Sequence, residues 1–225
     1  MFRYFSRALP MVEVITSKTD PRCMEIYRLR HEVVIEQCKM KINESNIQTS
    51  SIGKIIIDQH DISDATVHYA IRNPSTGKLV SAIRTIDANK TQLDMEKHNW
   101  FQIDKKIKAT GVVEWSRLVS DMSVRKTNTA LLLYMKSVFH QQDLGVNNVV
   151  FMVDSRATKL LDYYKRYTVC NEISNGPVDC SEYEIGRKSH VMLIPMGVPG
   201  SIERHKFTAL NVIPITFAVS FMKSV

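Results

Sequence analysis

The run Val112-Val113-Glu114-Trp115-Ser116-Arg117-Leu118-Val119 decides how this chain folds and where its chemistry can sit. Its β-branched and aromatic residues mark a strand, yet an acid and an arginine interrupt it. Strict alternation puts Glu114 and Ser116 on one face and Trp115 and Arg117 on the other, unless a bulge intervenes. Charges in such a strand are costly to bury unless paired. Leu79 to Ile86, a second apolar strand, raises the same problem through Arg84. Several strand-borne charges in one sheet predict an internal ion network. Active sites often carry such a network, and so do purely structural ion pairs.

Working outward, the second strand pairs back on Val67 to Arg72 through the turn Asn73-Pro74-Ser75-Thr76-Gly77, which makes a hairpin. Val12 to Thr16 reads as a first strand. Asp20-Pro21 then opens an amphipathic helix of four to five turns, with apolar Met24, Tyr27, Val34 and Ile35. Residues 40–53 read as a polar loop before the apolar Ile55-Ile56-Ile57. Downstream, Ala130 to Gln142 is helical, Val149 to Val153 a buried strand, Thr158 to Tyr167 a helix and Val191 to Met196 a strand. This alternation predicts an α/β (α+β) fold with a mixed central sheet and helices on both faces. One domain over 1–225 is expected, since no linker interrupts the 225 residues.

The formal net charge of +7 suggests an anionic partner. Lys and Arg are spread along the whole chain, without the dense basic block or aromatic signature of a nucleic-acid binder, so no nucleic acid is expected. Cys23, Cys38, Cys170 and Cys180 lack metal spacing, and the seven histidines add none; no metal is expected. Reduced thiols fit a cytoplasmic location. Met1 to Met11 carries Arg3 and Arg7 but lacks the apolar core of a signal peptide, which leaves a transit peptide open. The apolar tail from Phe207 to Met222 is short for a membrane span and contains Pro214, so a terminal strand or hairpin is expected.

Two further clusters bear on chemistry. Asp58-Gln59-His60-Asp61 ends an apolar run and reads either as a solvated turn or as paired carboxylates that hold an arginine or a cationic substrate. Arg125-Lys126-Thr127-Asn128-Thr129-Ala130 leads from a strand into a helix, where free N–H groups and basic side chains favour phosphate; Thr and Asn there also serve as ordinary caps.

Taken in order, these residues resemble the acyl-homoserine-lactone synthases and the related N-acyl amino acid synthases, over about residues 24–196. Leu29-Arg30-His31-Glu32-Val33-Val34 is similar to their first helix, with Val34 in an aromatic place. Asp58 and Asp61 match their D-x-x-D element, Arg84 their strand arginine, Phe101 an aromatic position thirteen residues before the glutamate, and Glu114, Ser116 and Arg117 their E-x-S-R signature. The resemblance implies a GNAT-like sheet with splayed central strands, and transfer of a fatty acyl group to the amine of an amino acid or of S-adenosylmethionine. Glu114 would be the base, with Ser116 and Arg117 beside it. Arg30, Asp58, Asp61, Arg84 and Phe101 would bind the acceptor, and residues 125–130 the donor. That donor would be acyl carrier protein or acyl-CoA, a co-substrate rather than a resident cofactor. No tryptophan lies between Val34 and Asp58, unlike the synthases that use S-adenosylmethionine, which leaves an amino acid acceptor open. In the phosphate loop of the wider class, [Q/R]-x-x-G-x-[G/A], Arg125 and Ala130 fit, but Asn128 replaces the glycine that lets a pyrophosphate approach. That favours acyl carrier protein over coenzyme A. The rivals are a coenzyme-A-dependent acetyltransferase of a small amine or protein, and a non-catalytic binding module of the same fold.

Overall fold

A computed structural model describes residues 12–40, 42, 46–125, 127, 129–167, 170–181 and 186–196. In chain order these form β1 (Val12–Ile15), α1 (Arg22–His31) running on into a π-helical turn (Glu32–Gln37), β2 (Ile47–Ser50), β3 (Gly53–Ile56), β4 (Thr66–Arg72) and β5 (Leu79–Asp87). There follow α2 (Asp94–Lys97), α3 (Lys105–Lys108), β6 (Val112–Ser120), a 3-10 turn (Met122–Val124), α4 (Thr129–Asp143) and β7 (Asn148–Asp154). The last elements are α5 (Thr158–Tyr167), β8 (Asn171–Glu172), β9 (Val178–Asp179) and β10 (Lys188–Pro195).

The start of α1 follows from its sequence. Asp20 Oδ1 accepts the Arg22 N–H at 2.9 Å, and its carboxylate also holds the Arg22 guanidinium at 2.6 Å. This satisfies a donor that the first turn would otherwise leave open. The helix buries Cys23, Ile26, Tyr27, Leu29 and, against its apolar neighbours, Arg30.

An eight-stranded sheet has the order β1-β4-β5-β6-β7-β10-β8, with β9 also paired to β10. Neighbours are antiparallel except β6 and β7, which are parallel. That parallel pairing covers only Val112–Trp115 against Asn148–Phe151, while β6 continues to Ser120 and β7 to Asp154. Beyond Trp115 and Phe151 the two central strands part. On one face α4 and α5 cover a core that includes Trp115, Leu133, Tyr134, Phe151 and Leu161. On the other, α1 packs with Ile15, Ala70 and Ala82, and α2 places Met95 against Ile86 and Val150.

The bulge that strict alternation left open is present. Ala82 pairs with Val119 and Arg84 with Ser116, so two steps along β5 match three along β6. Arg117 takes up the extra residue with φ of 55°, a left-handed conformation uncommon for any residue but glycine. It thereby turns to the same side as Ser116.

The sheet, both helical layers and the parted strands accord with the sequence reading, with one correction. Part of the expected 40–53 loop is ordered as strand: Ile47–Ser50 pairs with Gly53–Ile56 in a separate two-stranded ribbon. Its first strand is polar and largely exposed, so it shows no apolar alternation to reveal it. The short elements α2, α3, β8 and β9 carried no sequence signal either. The tail from 207 to 222 and residues 1–11 lie outside the described residues. Among the described residues no helix is long and apolar enough to cross a membrane.

Candidate active site

Arg84 and Ser116 are cross-strand partners on β5 and β6, which places both on the face covered by α1 and α2. Arg84 is fully buried and spends its guanidinium on four groups. Nε donates to Ser116 Oγ at 2.9 Å, and Nη1 reaches Asp58 at 2.6 Å and Asp61 at 2.9 Å. Nη2 lies 3.5 Å from Asp94. Arg30 Nη1 donates to Asp61 Oδ2 at 2.7 Å, and Arg117 Nη2 to Asp58 Oδ2 at 2.9 Å.

The two aspartates also brace their own turn: Asp58 Oδ1 accepts the His60 N–H at 2.9 Å and Asp61 Oδ2 the Asp58 N–H at 2.9 Å. Tyr27 and Thr66 hydroxyls hold the carbonyls of Asp61 and His60 from outside. Burial alone would raise both carboxyls. For Asp61 the nearby Arg30 and Arg84 win and bring it down to about 2; for Asp58, Arg84 and Arg117 hold it far below the usual carboxylate range. His68, enclosed beside them, is pushed down to about 3 by burial and by Arg30, so it stands neutral.

Glu114 sits on the same side in a different state. Its Oε2 accepts the Met95 N–H at 3.3 Å. Burial first, and then the neighbouring Asp94, push its carboxyl up to about 8, against the pull of Arg84. A carboxyl tuned this way exchanges its proton near neutral pH, which is what a general base requires. The turn that brings Asp94 and Met95 to it is anchored by Glu96, which accepts the Ile103 N–H at 3.0 Å and pairs with Lys108 at 2.6 Å. Glu96 is 1% exposed and Lys108 31%. Lys108→Met should therefore cost about 2 kcal/mol in denaturant unfolding, below the 3–5 typical when both partners are buried.

A cavity of about 380 Å³ opens where β6 and β7 part. Arg30, Asp94, Glu114, Ser116 and Arg117 line it on the α1 side. Trp115, Phe151, Val153, Ala157, Leu160 and Tyr164 line it on the α4–α5 side, so it joins the two faces of the sheet through the gap. The charged end therefore opens directly onto an apolar passage.

Of the residues singled out from the sequence, Glu114, Ser116, Arg117, Arg30, Asp58, Asp61 and Arg84 come together. Phe101 does not join them; it packs against the cluster of Ile86, Leu93 and Met95, and the neighbouring Trp100 lines the cavity instead. Arg125, Thr127, Thr129 and Ala130, the described residues of the 125–130 loop, are likewise not part of the cavity lining. Arg125 is exposed and donates to the Ser120 carbonyl and Cys38 Sγ, Thr127 is exposed, and Thr129 and Ala130 open α4. Lys126 and Asn128 lie outside the described residues. Sequence reasoning missed Asp94: Leu93-Asp94-Met95-Glu96 lies in a Lys-rich polar stretch, and only the four-residue helix folds it inward. Among the described residues no cluster of His, Cys, Asp and Glu could hold a metal ion.

No protein-family model and no curated protein sequence matches the chain. Solved structures do. BjaI, a CoA-dependent acyl-homoserine lactone synthase solved with SAM and isopentyl-CoA, has a TM-score of 0.63 at 15% identity over 91% of this chain and 90% of its own. TofI, solved with an inhibitor and MTA, scores 0.64 at 16% identity over 87% and 96%. FeeM, an N-acyl amino acid synthase from uncultured soil microbes, scores 0.59 at 10% identity over 86% and 98%. The fold is that of the acyl-homoserine lactone synthases. The large, mostly antiparallel sheet with helices on both faces accords with the GNAT-like fold that the resemblance implied.

Proposed function

We propose that the chain is an N-acyltransferase that moves a fatty acyl group from a pantetheine thioester to the primary amine of an amino acid or an S-adenosylmethionine-type acceptor. The observation that carries this reading is the opening between β6 and β7, with Glu114 and Arg117 at one end and an apolar passage at the other. A thioester arm fits between parted strands, where backbone N–H groups directed into the gap would stabilise the oxyanion of the tetrahedral intermediate. Glu114 takes the proton that the attacking amine must lose. The Arg–Asp network holds the walls in place, and Arg30 and Arg117 offer cationic charge to an acceptor carboxylate.

For the donor, the net charge of +7 and exposed Arg125 suit an acidic acyl carrier protein. BjaI is described as CoA-dependent, which keeps acyl-CoA as the second reading. Two assays test the proposal: mass spectrometry of lipid extracts from cells expressing the chain, and turnover of octanoyl carrier protein against octanoyl-CoA with the twenty amino acids and S-adenosylmethionine. A new acyl amino acid or acyl lactone supports it. No product with either donor overturns it.

The apolar passage supplies a prediction on chain length. Ala157 is a small residue on the wall opposite the charged end. Ala157→Phe should block part of the passage and lower turnover of a decanoyl donor about tenfold, in line with the loss of one or two buried methylene contacts. A butyryl donor should be used at an unchanged rate, read as kcat/KM across a donor series.

A further inference from the structure

Asp58, Asp61 and Asp94 are the three aspartates of the buried network, but their oxygens are spent differently. Asp58 and Asp61 hold arginines at 2.6–2.9 Å and accept backbone N–H groups within their own turn, and neither lines the cavity. Asp94 does line it. Its side chain is 8% exposed, yet its ion partners stand off: Arg84 and Arg117 at 3.5 Å, His60 and His98 at 3.7 Å. A carboxylate with those distances retains capacity to accept short hydrogen bonds. The other aspartate on the cavity wall, Asp154, is held by Arg156 at 2.6 Å at the far end.

Charge balance permits a cation here. Arg30, Arg84 and Arg117 offset Asp58, Asp61 and Asp94, and Glu114 is largely protonated near pH 7. The pocket is therefore close to neutral before a substrate arrives, and Asp94, with its partners at 3.5–3.7 Å, is the aspartate beside Glu114 that faces the cavity.

We infer that Asp94 receives the ammonium group of the acceptor and sets it beside Glu114. This rests on the acyl-transfer reading above and names the contact that selects an amine. The ammonium gives one proton through Glu114 to solvent. The freed amine attacks the thioester carbon, so the C–N bond forms and the C–S bond breaks. The second nitrogen proton leaves with the departing thiolate as a thiol. An acceptor without an amine keeps its other contacts but gains nothing from Asp94.

The test is calorimetric titration of the full-length protein with two probe pairs: S-adenosylmethionine with its desamino analogue, and L-tyrosine with 3-(4-hydroxyphenyl)propanoate. In at least one pair the ammonium-bearing member should bind about tenfold more tightly, the scale of one charge-assisted hydrogen bond. Asp94→Asn and Asp94→Ser, either of which serves if the other fails to fold, should abolish that preference and leave affinity for the desamino partner intact. Asp94→Glu should restore part of it. The rising limb of the pH–rate profile should also move to lower pH in the uncharged variants, because Asp94 raises the proton affinity of Glu114 while Arg84 and the Met95 N–H oppose it. A retained preference, an equal loss for both members, or no preference in the unaltered protein overturns the inference. Binding of no probe by the unaltered protein also overturns the inference, while the product assay above decides the acyl-transfer reading on its own. N-acylation that proceeds without the preference strikes only the role of Asp94.

Discussion

Glu114→Gln should lower kcat/KM for acyl transfer by about 10²- to 10⁴-fold, the range that a positioned general base contributes. The amide keeps the shape of the carboxyl and still offers an oxygen to the Met95 N–H, which reaches Oε2 at 3.3 Å. It cannot take a proton. If Glu114 is the base, the unaltered protein should show a rate that rises with pH and levels near 8, where Glu114 becomes ionised. The variant should lack that limb and retain only a rise set by the acceptor amine itself. An unchanged rate would remove Glu114 from the mechanism.

The same substitution has an opposite effect on stability. The carboxyl of Glu114 titrates near 4.5 in an unfolded chain and near 8 in the fold. Between those values the folded state binds the proton that the unfolded state has released, so stability falls as pH rises through that window. Glu114→Gln has no such proton. Its stability relative to the unaltered chain should grow from about pH 4.5 to about pH 8, by at most about 1.4 kcal/mol per unit, and then stay level. Urea unfolding at several pH values reads this directly. A variant that becomes more stable as it loses activity would mark the buried acid as a group kept for chemistry.

How much of this could be read from the chain depends on the length of the signal. The β4–β5 hairpin, β6, α4, β7 and α5 each carry a run long enough for periodicity to show, and their bounds match within a residue or two. Arg84 and Glu114 stood out because a charge in an apolar strand demands a partner, and the partners Asp58 and Asp61 sat at a strand end. The side of the sheet on which Arg117 lies was not legible, because one extra residue in β6 reverses the alternation beyond it. Asp94 was hidden for a different reason. Its turn is short, polar and flanked by lysines, and its burial depends on Glu96 reaching Lys108 and the Ile103 N–H, contacts that close over seven to twelve residues.

Arg84→Met should be the most damaging single change to the fold. Methionine matches the length of the arginine stem but provides none of its donors to Ser116, Asp58 and Asp61. Arg30 and Arg117 remain, so two cations face three buried aspartates. Removing one member of a buried ion network costs about 3–5 kcal/mol, because the remaining charges lose their compensation without regaining water. For a chain of this size that lowers the melting temperature by about 6–20 °C. The loss should depend on pH in a defined direction. In the unaltered protein Asp61 is depressed from 3.8 to about 2 and Asp58 further, so their contribution is present above about pH 4 and disappears as pH falls through the folded values. The gap between the two proteins should therefore be widest above pH 4 and narrow toward pH 2. Arg84→Lys, which keeps the charge but loses the fork that reaches Ser116 and both aspartates at once, should fall between them. Melting curves from pH 2 to 7 decide the matter. A gap that does not narrow on acidification would mean that Arg84 acts through packing rather than through the aspartates it holds.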